Sequence, residues 1–161
     1  MRCAILTVST TLARGEGEDA SGPALAERAA EAGAEVVARD VIGDDAEQIT
    51  AWLRARVADG IELILTTGGT GFTPDDVTPE ATRAVIERDA PGFAEAMRAE
   101  SLRHTPMGML SRGLSGIAGT SLIINFPGSP NAVRELFPVI APVLGHAART
   151  MRREPGRARS H

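Results

Sequence analysis

Two glycine-rich runs in this sequence each follow an apolar stretch of strand length: Thr67-Gly68-Gly69-Thr70-Gly71 after Ile61 to Thr66, and Pro127-Gly128-Ser129-Pro130 after Ser121 to Phe126. Glycine lets a backbone approach an anion closely and turns successive N–H groups toward it, and a helix starting just beyond adds positive potential. A phosphate-bearing ligand suits such a cradle. An isolated run of this kind is also an ordinary strand-to-helix turn, so the acids beside it decide the reading. Asp76 follows Gly71 by five residues and leads into Val77-Thr78-Pro79-Glu80, which gathers a carboxylate, a hydroxyl and a second carboxylate near the cradle. Carboxylates would repel a phosphate unless a divalent metal bridged them, and magnesium prefers one or two Asp or Glu ligands together with phosphate oxygens and water.

Three further groups belong to the same chemistry. Asp44 and Asp45 end the connection after the second apolar run. Asp is a favoured helix cap, so we read Asp45 as the cap and Asp44 as the functional acid and metal ligand. Ser111-Arg112 lies in a glycine-containing segment, where an arginine can pair bidentately with phosphate. Ser9 stands at the end of the first strand, within reach of a ligand at the same edge. Glu16, Glu18 and Asp19 read as a solvated loop, and His104 and His146 have no spaced partners that would give them a catalytic role.

These residues need a frame that brings them together. Apolar runs alternate with helix-length amphipathic segments, the pattern of a mostly parallel sheet with helices on both faces. Strands are predicted at Cys3 to Val8, Glu35 to Asp40, Ile61 to Thr66 and Ser121 to Phe126. Ser9 to Ala20 reads as a loop, Ser21 as a cap and Pro23 as the opening of a helix that ends at Gly33. A second helix starts at Gly43-Asp44-Asp45, carries Ile49, Leu53 and Val57 on one face and stops at Asp59-Gly60. Pro79-Glu80 opens a helix to about Arg88, and another runs from Phe93 to Leu102. His104 to Gly119 reads as a loop with one short strand and is expected to contact ligand. Pro138 and Pro142 predict that the last helical region breaks or kinks, most simply into two pieces. Both glycine turns then fall at the carboxyl edge of the sheet, where doubly wound folds bind ligands.

Composition narrows the chemistry. At 161 residues the chain fits one domain, read as 1–150, with a frayed, Arg-rich tail over 151–161. Its 43% hydrophobic and 24% charged content is that of a globular protein, and a net charge of −4 with one Trp, four Phe and no Tyr offers neither a basic groove nor a stacking surface for nucleic acid. All 17 basic residues are Arg. Without Lys there is no Walker-type phosphate loop, Schiff base or pyridoxal chemistry. One Cys and three scattered His cannot make a zinc site of usual spacing. The apolar start is too short for a signal sequence or a membrane span, so a cytoplasmic protein is expected.

The ordered segments also carry a resemblance. Ile64-Leu65-Thr66-Thr67-Gly68-Gly69-Thr70-Gly71 and Asp76-Val77-Thr78-Pro79-Glu80-Ala81 resemble the two signature stretches of the MogA/MoaB-type molybdopterin adenylyltransferases, a family that includes the G domain of gephyrin. Ala4 to Ser9, Asp19 to Pro23, Met109 to Arg112 and Ile123 to Val133 look like further family segments, in order. The resemblance implies a three-layer molybdopterin-binding fold, a homotrimer, and a site where ATP and molybdopterin meet at the carboxyl edge with Mg²⁺ held by Asp44 and Asp76. It implies nucleotidyl transfer, with molybdopterin's terminal phosphate attacking the α-phosphorus of ATP and pyrophosphate leaving. Molybdopterin synthase and a molybdate-insertion protein are the implied partners. Two positions depart from the pattern: Thr10 stands where many members carry Asp, and Asp75 where a basic residue often precedes the essential Asp. A pterin-binding or scaffolding protein without turnover is therefore the alternative.

Overall fold

The structure is a computed structural model and describes residues 1–153. A six-stranded sheet runs through the domain in the order β2-β1-β3-β6-β5-β4. Its strands are β1 (Arg2–Val8), β2 (Glu35–Ile42), β3 (Leu63–Thr67), β4 (Arg88–Asp89), β5 (Ser115–Ala118) and β6 (Ser121–Phe126). β2, β1, β3 and β6 are parallel neighbours, while β5 and β4 add an antiparallel edge. The chain reverses its direction of winding at β1 and β3, so the ends of these two strands form the crevice in which open α/β sheets bind ligands.

β1, β3 and β6 are continuous apolar runs because helices cover both faces. Successive side chains point to opposite faces. Cys3, Ile5, Leu63, Leu65, Leu122 and Ile124 therefore pack with α2 (Ser21–Glu31), α5 (Gly92–His104) and α6 (Pro130–Met151). Ala4, Leu6, Ile64 and Ile123 pack with α3 (Ala46–Ala58) and α4 (Thr78–Arg83). The three-layer arrangement expected from the alternation is thus present. Cys3 is fully buried, and burial pushes its thiol up to about 12. Among the described residues no helix is long and apolar enough to cross a membrane.

Several local expectations are corrected. The segment Ser9 to Ala20 is not all loop: Ser9 caps a one-turn helix, α1 (Thr10–Ala13), its Oγ accepting from Leu12 N at 3.3 Å. That turn has no buried residue and therefore no apolar periodicity to reveal it. Ser21 is not the cap of α2 but a buried member of it, and Asp19 does the capping, its Oδ1 accepting from Gly22 N at 3.0 Å. Asp19 also accepts from Thr7 Oγ1 at 2.8 Å, so it is a half-buried connector of β1 to α2 rather than part of a solvated loop.

The helix opened by Pro79 ends at Arg83, not Arg88, because Arg88–Asp89 pairs with Gly116 and Ile117 of β5. α6 is one helix of 22 residues despite Pro138 and Pro142. The four-residue spacing puts both prolines on the exposed side, where the carbonyls of Arg134 and Pro138 that lose their donors can take water. On the opposite side Val133, Leu136, Phe137, Ile140, Leu144 and Ala148 are buried. At roughly 1.5–3 kcal/mol per large side chain, that stripe outweighs the two breaks. Of the segment read as a tail, Met151 closes α6 and Arg152 pairs with Glu62 at 2.7 Å; the remainder, 154–161, lies outside the described residues.

Candidate functional site

The two glycine turns meet. Gly68 N donates to Phe126 O at 3.1 Å and Thr67 Oγ1 to Pro127 O at 2.8 Å, stitching the end of β3 to the end of β6. Gly68 (φ 95°) and Gly69 (φ 65°) have the left-handed backbone that side chains disfavour. A Cβ on Gly68 would stand 2.3 Å from Val8 O, and one on Gly128 would stand 3.2 Å from Gly68 Cα. The turn continues into α4: Thr78 Oγ1 donates to Gly68 O at 2.9 Å and Thr78 N to Gly69 O at 3.0 Å. Among the described residues, the N–H groups of Gly69, Thr70 and Gly71 donate to no protein acceptor. Three successive free donors at a strand end are an arrangement with which a backbone can receive an anion.

Below this turn the sheet is held by Asn125. Its Nδ2 donates to Thr66 Oγ1 and Thr82 Oγ1, each at 2.9 Å, and its Oδ1 accepts from Leu114 N at 3.0 Å. All three side chains are buried, so β3, β6 and α4 are fixed in register by a satisfied polar network.

The acids flank the glycine turn. Asp76 Oδ2 accepts from Thr73 N at 2.9 Å and Thr73 Oγ1 at 2.7 Å, and it lies 2.9 Å from where a Cβ on Gly71 would stand. Asp44 Oδ2 accepts from Thr10 N at 3.0 Å and Thr10 Oγ1 at 2.7 Å, and its Oδ1 faces Gly69. Thr10 thus orients Asp44 instead of merely replacing an acid. In both acids, among the described residues, Oδ1 has no hydrogen-bond donor, which leaves one hard oxygen on each side of the turn. Asp45 is the cap of α3, accepting from Glu47 N and Gln48 N, and these bonds, that from Gln48 first, lower its pKa.

An open groove of about 420 Å³ runs from this turn. Gly68, Gly69, Thr70, Gly71, Asp76, Pro127 and Gly128 line one side. Ser111, Ser101, Thr105 and the short 3-10 helix at Pro106–Leu110, with Met107, Gly108 and Leu110, line the other.

The probable molybdopterin binding domain family matches residues 4–146. The chain belongs to this family. It is 43% identical over 145 residues to the molybdenum cofactor synthesis protein cinnamon of Drosophila melanogaster, covering 89% of this chain but only 24% of that protein. It is 37% identical over 144 residues to a molybdopterin adenylyltransferase of Helicobacter pylori, covering 87% of this chain and 81% of that one. The molybdopterin biosynthesis enzyme MoaB of Thermus thermophilus superposes with a TM-score of 0.89 at 44% identity, over 97% of this chain and 99% of the other.

Within this molybdopterin-binding domain several expected contacts take other roles. Arg112 was read as a phosphate partner, but its guanidinium is engaged: Nε donates to Gly71 O and Nη2 to Asp76 O, each at 2.7 Å, and Nη1 to the Glu80 carboxylate. Arg112 N also donates to Thr70 O at 2.9 Å. One residue therefore holds the start and the end of the loop from Thr70 to Asp76. Glu80 is correspondingly the partner of Arg112; the hydrogen bond from Arg112 lowers its pKa, and Glu80 raises that of Arg112. Ser9 and Ser129 use their hydroxyls as the caps of α1 and α6. Thr67 and Thr78 are likewise committed to backbone carbonyls, and Ser9, Asp44, Ser129 and Pro130 stand outside the groove lining. Ser101, Thr105, Met107, Leu110 and Ala132 also line the groove; the glycine-containing His104 to Gly119 segment points toward Thr105, Met107 and Leu110, and the family-like segments Met109 to Arg112 and Ile123 to Val133 contain Leu110 and Ala132, while Ser101 carries no such signal.

Proposed function

We propose that this chain catalyses the magnesium- and ATP-dependent adenylylation of molybdopterin, as an enzyme of molybdenum cofactor biosynthesis. The observation that carries the reading is the run of unengaged N–H groups at Gly69, Thr70 and Gly71, with the free Oδ1 atoms of Asp44 and Asp76 beside it. Donors with no protein acceptor suit phosphate oxygens, and two hard oxygens with no protein donor suit a cation that phosphate accompanies. Asp44 and Asp76 would hold Mg²⁺. The bound ion would supply charge neutralisation for the phosphates.

In this reaction a terminal phosphate oxygen of molybdopterin forms a bond to the α-phosphorus of ATP, and the bond from that phosphorus to the β-phosphate bridging oxygen breaks. Pyrophosphate carries away the electron pair. The nucleophile is already anionic, so no general base is needed, and the chain's residues act by positioning and by electrostatics. Gly69, Thr70 and Gly71 donate to the phosphates. Thr10 and Thr73 fix the rotamers of Asp44 and Asp76, and the groove beyond takes the rest of the ligand. A homotrimer in the cytoplasm, receiving its substrate from molybdopterin synthase and passing its product to a molybdate-insertion protein, completes the proposal.

Asp76→Asn keeps the bonds from Thr73 and removes the charge, so pyrophosphate release with molybdopterin, ATP and Mg²⁺ should fall by about a hundredfold or more with the thermal midpoint nearly unchanged. Undiminished turnover would overturn the role of Asp76. The second reading, a binding protein without turnover, draws on Thr10 and Asp75; it predicts tight molybdopterin binding with no pyrophosphate formed by the wild type.

A further inference from the structure

Arg98 lies on α5, between the buried Met97 and the outer face of the helix. Its Nη1 donates to Gly113 O at 2.8 Å and stands 3.5 Å from Ser111 O. Those carbonyls belong to the residues on either side of Arg112. Among the described residues, no carboxylate lies within ion-pair distance of Arg98. A water-sized cavity of about 10 Å³ is lined by Arg98, Ser101, Ser111, Gly113 and Asn125 among others. Among the described residues, Arg98 is the side chain of α5 that hydrogen-bonds this segment, and it supplies one donor shared by the two carbonyls that flank Arg112.

We infer that Arg98 is a positioning residue for the candidate active site, acting through Arg112. Arg98 holds the carbonyls before and after Arg112. Arg112 then holds Thr70, Gly71, Asp76 and Glu80 through its N–H and its guanidinium. The chain of contacts runs from α5 to the acid of the glycine turn, and neither Arg98 nor Arg112 lines the groove. A long, flexible side chain such as that of Arg112 meets several acceptors at once only if its own backbone is fixed, because each degree of freedom left open lowers the fraction of time all bonds coexist. The kinetic part of this inference rests on the adenylylation reading; the geometric part does not.

The test uses the full chain with Arg98→Ala, Arg98→Lys and, as a control on the exposed face of the same helix, Arg103→Ala. Hydrogen exchange is followed at Arg112, whose N–H bonds Thr70 O, and at Thr73 and Asp76 within the loop. Arg98→Ala should speed exchange at these amides by about tenfold, with Arg98→Lys intermediate and Arg103→Ala unchanged. In the adenylylation assay kcat should fall about tenfold while KM for ATP moves less than about threefold, again with partial rescue by Lys. Faster exchange confined to α5, with residues 73, 76 and 112 as protected as in the wild type, would overturn the inference. So would an unchanged kcat in an active enzyme. A wild type that makes no adenylylated product would instead overturn the proposed reaction, and the exchange experiment would still decide the role of Arg98.

Discussion

After β6 the chain turns on local terms. Ser129 caps α6 through Ala132 N at 3.3 Å and Pro130 occupies the first helical position; from elsewhere the turn takes only the hydrogen bond from Thr67 Oγ1 to Pro127 O and room for Gly128 against Gly68. After β3 the same task is done by distant partners. Val77, which precedes α4, makes no side-chain cap, and the loop from Thr70 to Asp76 is closed by Arg112, 36 residues beyond Asp76. The difference follows from what each turn does. A turn that only redirects the chain can satisfy its backbone internally. A turn that keeps three N–H groups free for a ligand must take its rigidity from elsewhere.

The strongest way to break this contrast is Gly68→Ala. The added Cβ meets Val8 O at 2.3 Å in a backbone of positive φ, so stability should drop by on the order of 3 kcal/mol, seen as a fall of roughly 10 °C in the thermal midpoint, with activity lost. Gly128→Ala, with its closest contact at 3.2 Å, should cost clearly less; equal losses would mean the two turns are alike.

Next in size is Arg112→Met, which keeps the stem and removes the donors. It should lower kcat about a hundredfold while the midpoint moves by only a few degrees, and Arg112→Lys should not restore activity, because an ammonium cannot match the planar fork that reaches Gly71, Asp76 and Glu80 together. Ser129→Ala should cost about 1 kcal/mol, the ordinary worth of a cap, and leave kcat within twofold. A large kinetic effect there would show that the local turn also shapes the ligand site.

The smallest effect is that of Glu80→Gln. The Glu80 pKa is lowered in the folded chain, so its favourable contribution is present above the ordinary carboxylate range and disappears as pH falls through the lowered folded value. Because Glu80 is largely exposed, the midpoints of wild type and variant should differ by under about 3 °C at neutral pH and converge in acid. A difference that grew on acidification would contradict the assignment.

The same contrast explains what was legible in the sequence. Features governed by near neighbours were readable: the buried strands by their apolar runs, Asp45 as a cap by its place before α3, the glycine turns by composition. The sharing of one sheet edge followed from the alternation of strands and helices. What escaped depends on contacts far along the chain. The early end of α4 is set by a two-residue pairing with β5, and the continuity of α6 by which side its prolines face. The binding of Asp44 by Thr10 spans 34 residues, and Arg112 could be recognised as basic and near glycines but not as already engaged. Asp19 looked like loop because its partner Thr7, 12 residues earlier, becomes a neighbour only once α2 has packed on β1.

Cys3 gives the molecule a built-in clock. It is the only sulfhydryl in the chain, fully enclosed on the central strand next to the edge, and its proton is held up to about pH 12. A thiol-reactive dye added to the native protein can therefore attach only after β1 has left its place, so the labelling rate reports how often the sheet opens. Measured with and without nucleotide, that rate would show whether filling a groove at one end of the strands slows the escape of the strand at its other end.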